Sequence, residues 1–181
     1  MQLYYHSLTH LTEARFASSL YPVYLGFCFS GLPSDAINPV LFSKIKPWLS
    51  GAELVGQFAY EPAQSIINQM DLLGLTCVEV PHDHPSVDVL MDSFSVITLG
   101  GFIAGAQAYR MDYTQYQNLA QPNTTVPCFL DFARPNVVHI QEVLTQHTAL
   151  GLAYKGGVQE SEPGMADLSA PAAFMESLGL L

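Results

Sequence analysis

Gly151-Leu152-Ala153-Tyr154-Lys155-Gly156-Gly157-Val158-Gln159-Glu160, then Pro163-Gly164-Met165-Ala166-Asp167 and a segment with helical apolar spacing at 169–178, reads as strand, glycine pair, loop and helix. That order puts backbone N–H groups beside the C-terminal end of a strand, where an anion such as phosphate can be cradled. Upstream, short β-prone runs alternate with helix-period segments, which predicts an α/β fold with a parallel sheet. Strands are expected at 3–8, 22–29, 52–60, 75–80, 94–99, 107–113, 126–132 and 149–155, and helices at 10–20, 39–49, 62–73, 136–147 and 169–178. The helix at 62–73 is the clearest. Ile66, Ile67, Met70 and Leu73 recur at helical spacing, Glu61-Pro62 opens it and Gly74 ends it.

Eight strands of this kind close a (βα)8 barrel, although 181 residues is short for that fold. The shortage falls between residues 100 and 125. Gly100-Gly101-Phe102-Ile103-Ala104-Gly105 leaves little room for a helix, and the polar stretch from Gln115 to Thr125, with Pro122, reads as a loop. The expectation is therefore one barrel domain spanning residues 1–181, slightly reduced, with one or two outer helices lost around strands five and six. A doubly wound open sheet is the structural alternative.

Composition narrows the function. The formal net charge is −10 with only six Lys and Arg residues, so clustered cations for nucleic acid or an anionic membrane are lacking. No apolar run is long enough to span a bilayer, and the N-terminal residues have no basic segment followed by an apolar one. Cys28, Cys77 and Cys128 are odd in number and each lies in an apolar run, which suits buried free thiols in a reducing cytoplasm. His82-Asp83-His84, with Glu79 upstream, has metal-ligand residue types. Yet the two histidines share one face of an extended segment while Asp83 points away, and Pro81 and Pro85 mark a rigid loop. No metal or cofactor is expected. Trp48, before the helix exit Leu49-Ser50-Gly51, is assigned to packing.

Several strand motifs, in the same order, resemble phosphoribosylanthranilate isomerases. Leu3 to Thr9 is similar to that family's opening Lys-Ile-Cys-Gly-Ile-Thr, and Tyr24-Leu25-Gly26-Phe27-Cys28-Phe29 to its Leu-Gly-Phe-Val-Phe. Val55-Gly56-Gln57-Phe58 resembles Val-Gly-Val-Phe, and Val78-Glu79-Val80-Pro81-His82-Asp83 stands where the family has Val-Gln-Leu-His-Gly-Asp. Pro127-Cys128-Phe129-Leu130 and the tail match the last two strands, the latter usually Asp-Val-Ser-Ser-Gly-Val-Glu.

The resemblance implies a barrel and an Amadori rearrangement driven by a general base and a general acid. It places His6 at the base position, normally cysteine, and Ala153 at the position matched to the acid. Asp35 falls where an arginine holds the substrate carboxylate, and Asp131-Phe132-Ala133 replaces phosphate-binding glycines. Asp131 beside a dianion would cost about 1–4 kcal/mol at 4 Å. The expected function is thus a diverged barrel with the isomerase activity weakened or lost, holding a small molecule, phosphorylated or not, at the C-terminal mouth. The alternatives are a genuine isomerase with substitute residues and a non-catalytic scaffold. Candidate acid–base residues are His6, Asp112 and Asp131. Candidate anion contacts are Lys155, Gly156, Gly157 and Arg134. Arg110 and Asp112 share a strand face and can both point into the barrel. The oligomeric state is left open.

Overall fold

The structure is a computed structural model, described here for residues 1–31, 36–121, 125–133, 136–157 and 166–181. Eight parallel strands form a closed barrel in chain order: β1 (Gln2–His6), β2 (Tyr24–Cys28), β3 (Glu53–Gln57), β4 (Cys77–Pro81), β5 (Ser95–Leu99), β6 (Ala108–Asp112), β7 (Cys128–Asp131) and β8 (Leu150–Lys155). Closure is made by β1 on β8, paired from Gln2 with Gly151 through His6 with Lys155. The open-sheet alternative is thereby excluded.

Among the described residues seven α-helices pack outside: α1 (Leu11–Ser19), α2 (Pro39–Ile45), α3 (Ala63–Leu73), α4 (Val87–Met91), α5 (Tyr113–Gln117), α6 (Val137–Leu144) and α7 (Ser169–Ser177). Residues 100–107 join β5 to β6 without a helix, as the glycine-rich sequence predicts. After β6 the polar stretch begins with the five-residue α5 rather than running wholly as loop, because Asp112 and Gln115 form a reciprocal capping box at its N-terminus. No helix among the described residues is long and apolar enough to cross a membrane.

Two apolar layers hold the barrel together. Outside, Ile66, Met70 and Leu73 of α3 join a cluster with Leu25, Phe27 and Phe42 between sheet and helices. Inside, each strand contributes one buried residue to a ring: Tyr4, Tyr24, Val55, Cys77, Ile97, Ala108, Phe129 and Ala153. Three aromatics meet edge-on there, with ring centroids 5.5–5.7 Å apart, a geometry favoured by their quadrupoles. Space for Phe129 comes from Gly151, where a Cβ would sit 2.7 Å from the Phe129 ring. Trp48 departs from its assignment to packing. It is 64% exposed, with the Arg15 guanidinium 5.7 Å over its ring.

Candidate functional site

Side chains on a strand return to the same face every second residue. The positions two beyond the inner apolar ring therefore form the next layer toward the C-terminal mouth: His6, Gln57, Glu79, Arg110 and Asp131 on β1, β3, β4, β6 and β7. These polar groups close into a hydrogen-bonded circuit. The Arg110 guanidinium donates to Glu79 through Nε at 2.9 Å and Nη2 at 2.8 Å, a bidentate grip. Its Nη1 donates to Asp131 Oδ2, while His6 Nε2 lies 2.9 Å from Asp131 Oδ1. Gln57 donates to Glu79 Oε1 at 2.7 Å and accepts from the Ser7 backbone N–H at 2.9 Å. Ser7 Oγ completes the loop, 3.0 Å from His6 Nδ1.

Charge within the circuit follows from its geometry. Burial pushes the Glu79 carboxyl up, but the Arg110 charge and hydrogen bonds more than reverse this and hold it below the usual carboxylate range. Burial likewise raises Asp131, yet hydrogen bonding from His6 and the neighbouring positive charge bring it down to about 2. For His6, burial and Arg110 outweigh the attraction of the carboxylates and lower its pKa below the ordinary imidazole value. The mouth is thus an Arg cation between two carboxylates, with a neutral imidazole on one of them. Arg110 also lies 6.0 Å over the Tyr4 ring of the layer below.

A cavity of about 230 Å³ opens above this layer, lined by Ser7, Cys28, Gln57, Phe58, Glu79 and Arg110 among others. A second, of about 190 Å³, is bordered by Asp131, Phe132, Tyr154, Lys155 and Phe174. The candidate site residues distribute unevenly over these features. His6 and Asp131 meet directly. Lys155 is exposed and shares the second cavity with Asp131. Asp112 shares a strand face with Arg110 but stands one level higher, where its carboxylate accepts from Thr114 N at 2.7 Å to cap α5. Arg134, Asp35 and Val158 lie outside the described residues.

The glycine pair does not present open donors. Gly156 N donates to the His6 carbonyl at 2.7 Å. Gly157 N donates at 3.0 Å to Glu13 Oε2, and Tyr5 Oη donates to Glu13 Oε1 at 2.9 Å. Glu13 is fully buried on α1, so a carboxylate of the chain itself occupies the place foreseen for a bound anion. Its position in Leu11-Thr12-Glu13-Ala14 carries no signal beyond helix initiation. Ala153 belongs to the buried apolar ring, stands opposite Asp131 in the β7–β8 register and lines the second cavity with it, bringing a methyl group where the resemblance expects the acid.

His82, Asp83 and His84 serve loops. His82 Nδ1 contacts the Leu99 carbonyl, Asp83 accepts from Tyr60 Oη, and His84 bridges the Glu61 carbonyl and Ser86 N–H. The three cysteines are outside any disulfide, with Cys77 and Cys128 buried and Cys28 at the mouth cavity, its thiol donating to the Ser30 carbonyl at 3.0 Å.

No family model and no curated protein matches the sequence. Among solved structures, the barrel is similar to phosphoribosylanthranilate isomerase from Thermus thermophilus, with a TM-score of 0.77 and 20% identity over 99% of this chain and 98% of that one. It is also similar to monomers generated from the dimeric isomerase of Thermotoga maritima (TM-score 0.76, 18% identity) over the full length of both chains. A third such isomerase, in complex with reduced 1-(o-carboxyphenylamino)-1-deoxyribulose 5-phosphate, gives a TM-score of 0.75 and 17% identity over all of both chains. At these identities the likeness establishes a shared fold.

Proposed function

We propose that this chain is a diverged barrel of the phosphoribosylanthranilate-isomerase type that holds a small polar molecule over His6 and Asp131, with the isomerisation of phosphoribosylanthranilate weakened or lost. The observation that carries this reading is the pairing of Asp131, whose two carboxylate oxygens are held by Arg110 and His6, an arrangement that favours its ionised form. A general acid must hold a proton at working pH. Those partners hold the pKa of Asp131 down to about 2, so at pH 7 it is ionised and has no proton to give. Asp112, the other candidate acid, is committed to capping α5. His6 can still accept a proton, so half of an acid–base pair is present.

Anion binding is also weakened. Glu13 engages the N–H of Gly157, and Arg110 is committed to Glu79 and Asp131. If the ligand is phosphorylated, its phosphate belongs beside Lys155 rather than on the glycine pair. The likeness to an isomerase that binds a carboxyphenylamino-deoxyribulose phosphate supports the mouth as the binding face. Three cysteines outside any disulfide suit a cytoplasmic setting.

The test is rescue of a tryptophan auxotroph lacking the isomerase, at ordinary expression levels. No growth is expected, because losing a positioned acid typically costs roughly 10²–10⁴-fold in rate. Growth at the wild-type rate would overturn the reading. Crystals soaked in sulfate are expected to show no density at the N–H groups of Gly156 and Gly157.

A further inference from the structure

Ser7 directly follows β1 and holds φ at +59°, in the left-handed region that residues with a Cβ seldom adopt. Such conformations persist where surrounding structure enforces them, often at functional sites. Here the enforcement is visible: Ser7 N–H is tied to Gln57 Oε1, and the next residue's Leu8 N–H to the Gly26 carbonyl. The turn brings Ser7 Oγ back to 3.0 Å from His6 Nδ1.

The tautomer follows from the partners. His6 Nε2 has two neighbours, the ionised Asp131 Oδ1 at 2.9 Å, which only accepts, and Arg110 Nη1 at 3.4 Å, which only donates. The shorter contact assigns the proton to Nε2, donated to Asp131. Nδ1 therefore presents a lone pair, and the Ser7 hydroxyl donates to it. Arg110 holds the other oxygen of Asp131, which prevents the carboxylate from turning away. Hydroxyl, imidazole and carboxylate stand in series, the arrangement that activates a nucleophile. The ring nitrogens are used in the opposite order from the serine proteases, but the roles need only a lone pair toward the hydroxyl and an orienting acceptor behind it. Ser7 also lines the mouth cavity, beside Phe58, Pro81 and Leu99.

We propose that Ser7 is a nucleophile activated by His6 and oriented through Asp131, and that the mouth cleaves small, uncharged carboxylic esters. Neutral substrates are specified because Glu79 and Asp131 repel anionic ones and the described cation between them is already paired. Ser7 Oγ attacks the ester carbonyl carbon while its proton passes to His6 Nδ1. The bond from that carbon to the alcohol oxygen breaks, and His6 returns the proton to the departing alcohol. Water, deprotonated by His6, then attacks the acyl carbon; the bond from that carbon to Ser7 Oγ breaks, His6 returns the proton to Ser7 Oγ, and the acid leaves. Overall, ester and water become acid and alcohol.

This proposal rests on the mouth being a ligand site, and its test separates the two. The full chain is treated with a fluorophosphonate probe and mapped by mass spectrometry, and p-nitrophenyl acetate hydrolysis is followed in parallel. Labelling of Ser7 is expected, with at least tenfold slower labelling and hydrolysis in His6→Gln and in Asp131→Asn. Ser7→Gly, which suits the backbone at a positive φ, keeps the fold and should abolish both. A folded wild type with no label on Ser7, or Ser7→Gly with unchanged hydrolysis, would overturn the nucleophile. The isosteric ketone 4-nitrophenylacetone reports the cavity separately, through chemical-shift changes at the Gln57 side-chain amide. Ketone binding without Ser7 labelling defeats only the nucleophile. Neither binding nor labelling defeats the ligand reading as well.

Discussion

At the residue scale, Arg110 decides what the mouth can be. Its guanidinium bridges two carboxylates that would otherwise face each other across a buried layer. Removing one partner of a buried ion pair leaves an uncompensated charge and typically costs about 3–5 kcal/mol. Arg110→Met keeps much of the side-chain volume but leaves Glu79 and Asp131 without the cation between them. A loss of that size is expected in urea unfolding, and a loss below about 1 kcal/mol would mean the pair contributes little to the fold. Part of this circuit is legible from sequence. His6 and Asp131 stand out as polar residues at C-terminal ends of strands. Gln57 and Glu79 do not, because alternation tells which residues face inward but not at what height each strand crosses its neighbours. The register sets Asp112 opposite Asp131 and Arg110 opposite Phe129, and it is the long Arg110 side chain that reaches Glu79 and Asp131 while Asp112 turns away to cap α5.

At the element scale, short helices separate what sequence reveals from what it hides. The eleven-residue α3 carries enough turns for its apolar spacing to show, and Gly74 ends it at φ +60°. The five-residue α4 buries only Val87 and Leu90, too few positions to define a period. The equally short α5 has no buried residue, and its existence depends on the cap. Asp112→Ala should therefore cost about 1 kcal/mol, the usual value of an N-cap. It should leave Ser7 labelling by the fluorophosphonate probe unchanged. Slower labelling at full stability would instead give Asp112 a part in the mouth. The same scale explains why the glycine pair reads as an anion cradle. Local sequence describes the donors on the β8 exit accurately, whereas their acceptor, Glu13, arrives from α1 across the β1–β8 seam.

For the whole molecule, acid sets two effects against each other. The chain is strongly acidic, so lowering the pH toward its isoelectric point near 4.7 relieves self-repulsion and favours the folded state. His6 works the other way. Its folded pKa lies below the unfolded value near 6.5, so the unfolded chain binds more protons and stability falls as the pH drops below that value. Asp131 has the same sign in a lower window. Its pKa is about 2 when folded and about 3.9 when unfolded, so its contribution is complete above pH 4 and lost as pH falls toward 2. That loss is roughly 2 kcal/mol, reduced somewhat by the carboxylate's partial exposure. Repulsion and His6 therefore oppose each other between about pH 7 and 5, and a shallow dependence is expected there. Below about pH 4 Asp131 begins to protonate, net positive charge accumulates, and stability should fall steeply. Urea midpoints measured from pH 7 to pH 2 will check this, with Asp131→Asn as the comparison. The variant starts less stable at neutral pH, but its decline between pH 4 and pH 2 should be shallower by the Asp131 contribution. Parallel declines in the two proteins would mean that protonation of Asp131 does not carry the loss of stability in acid.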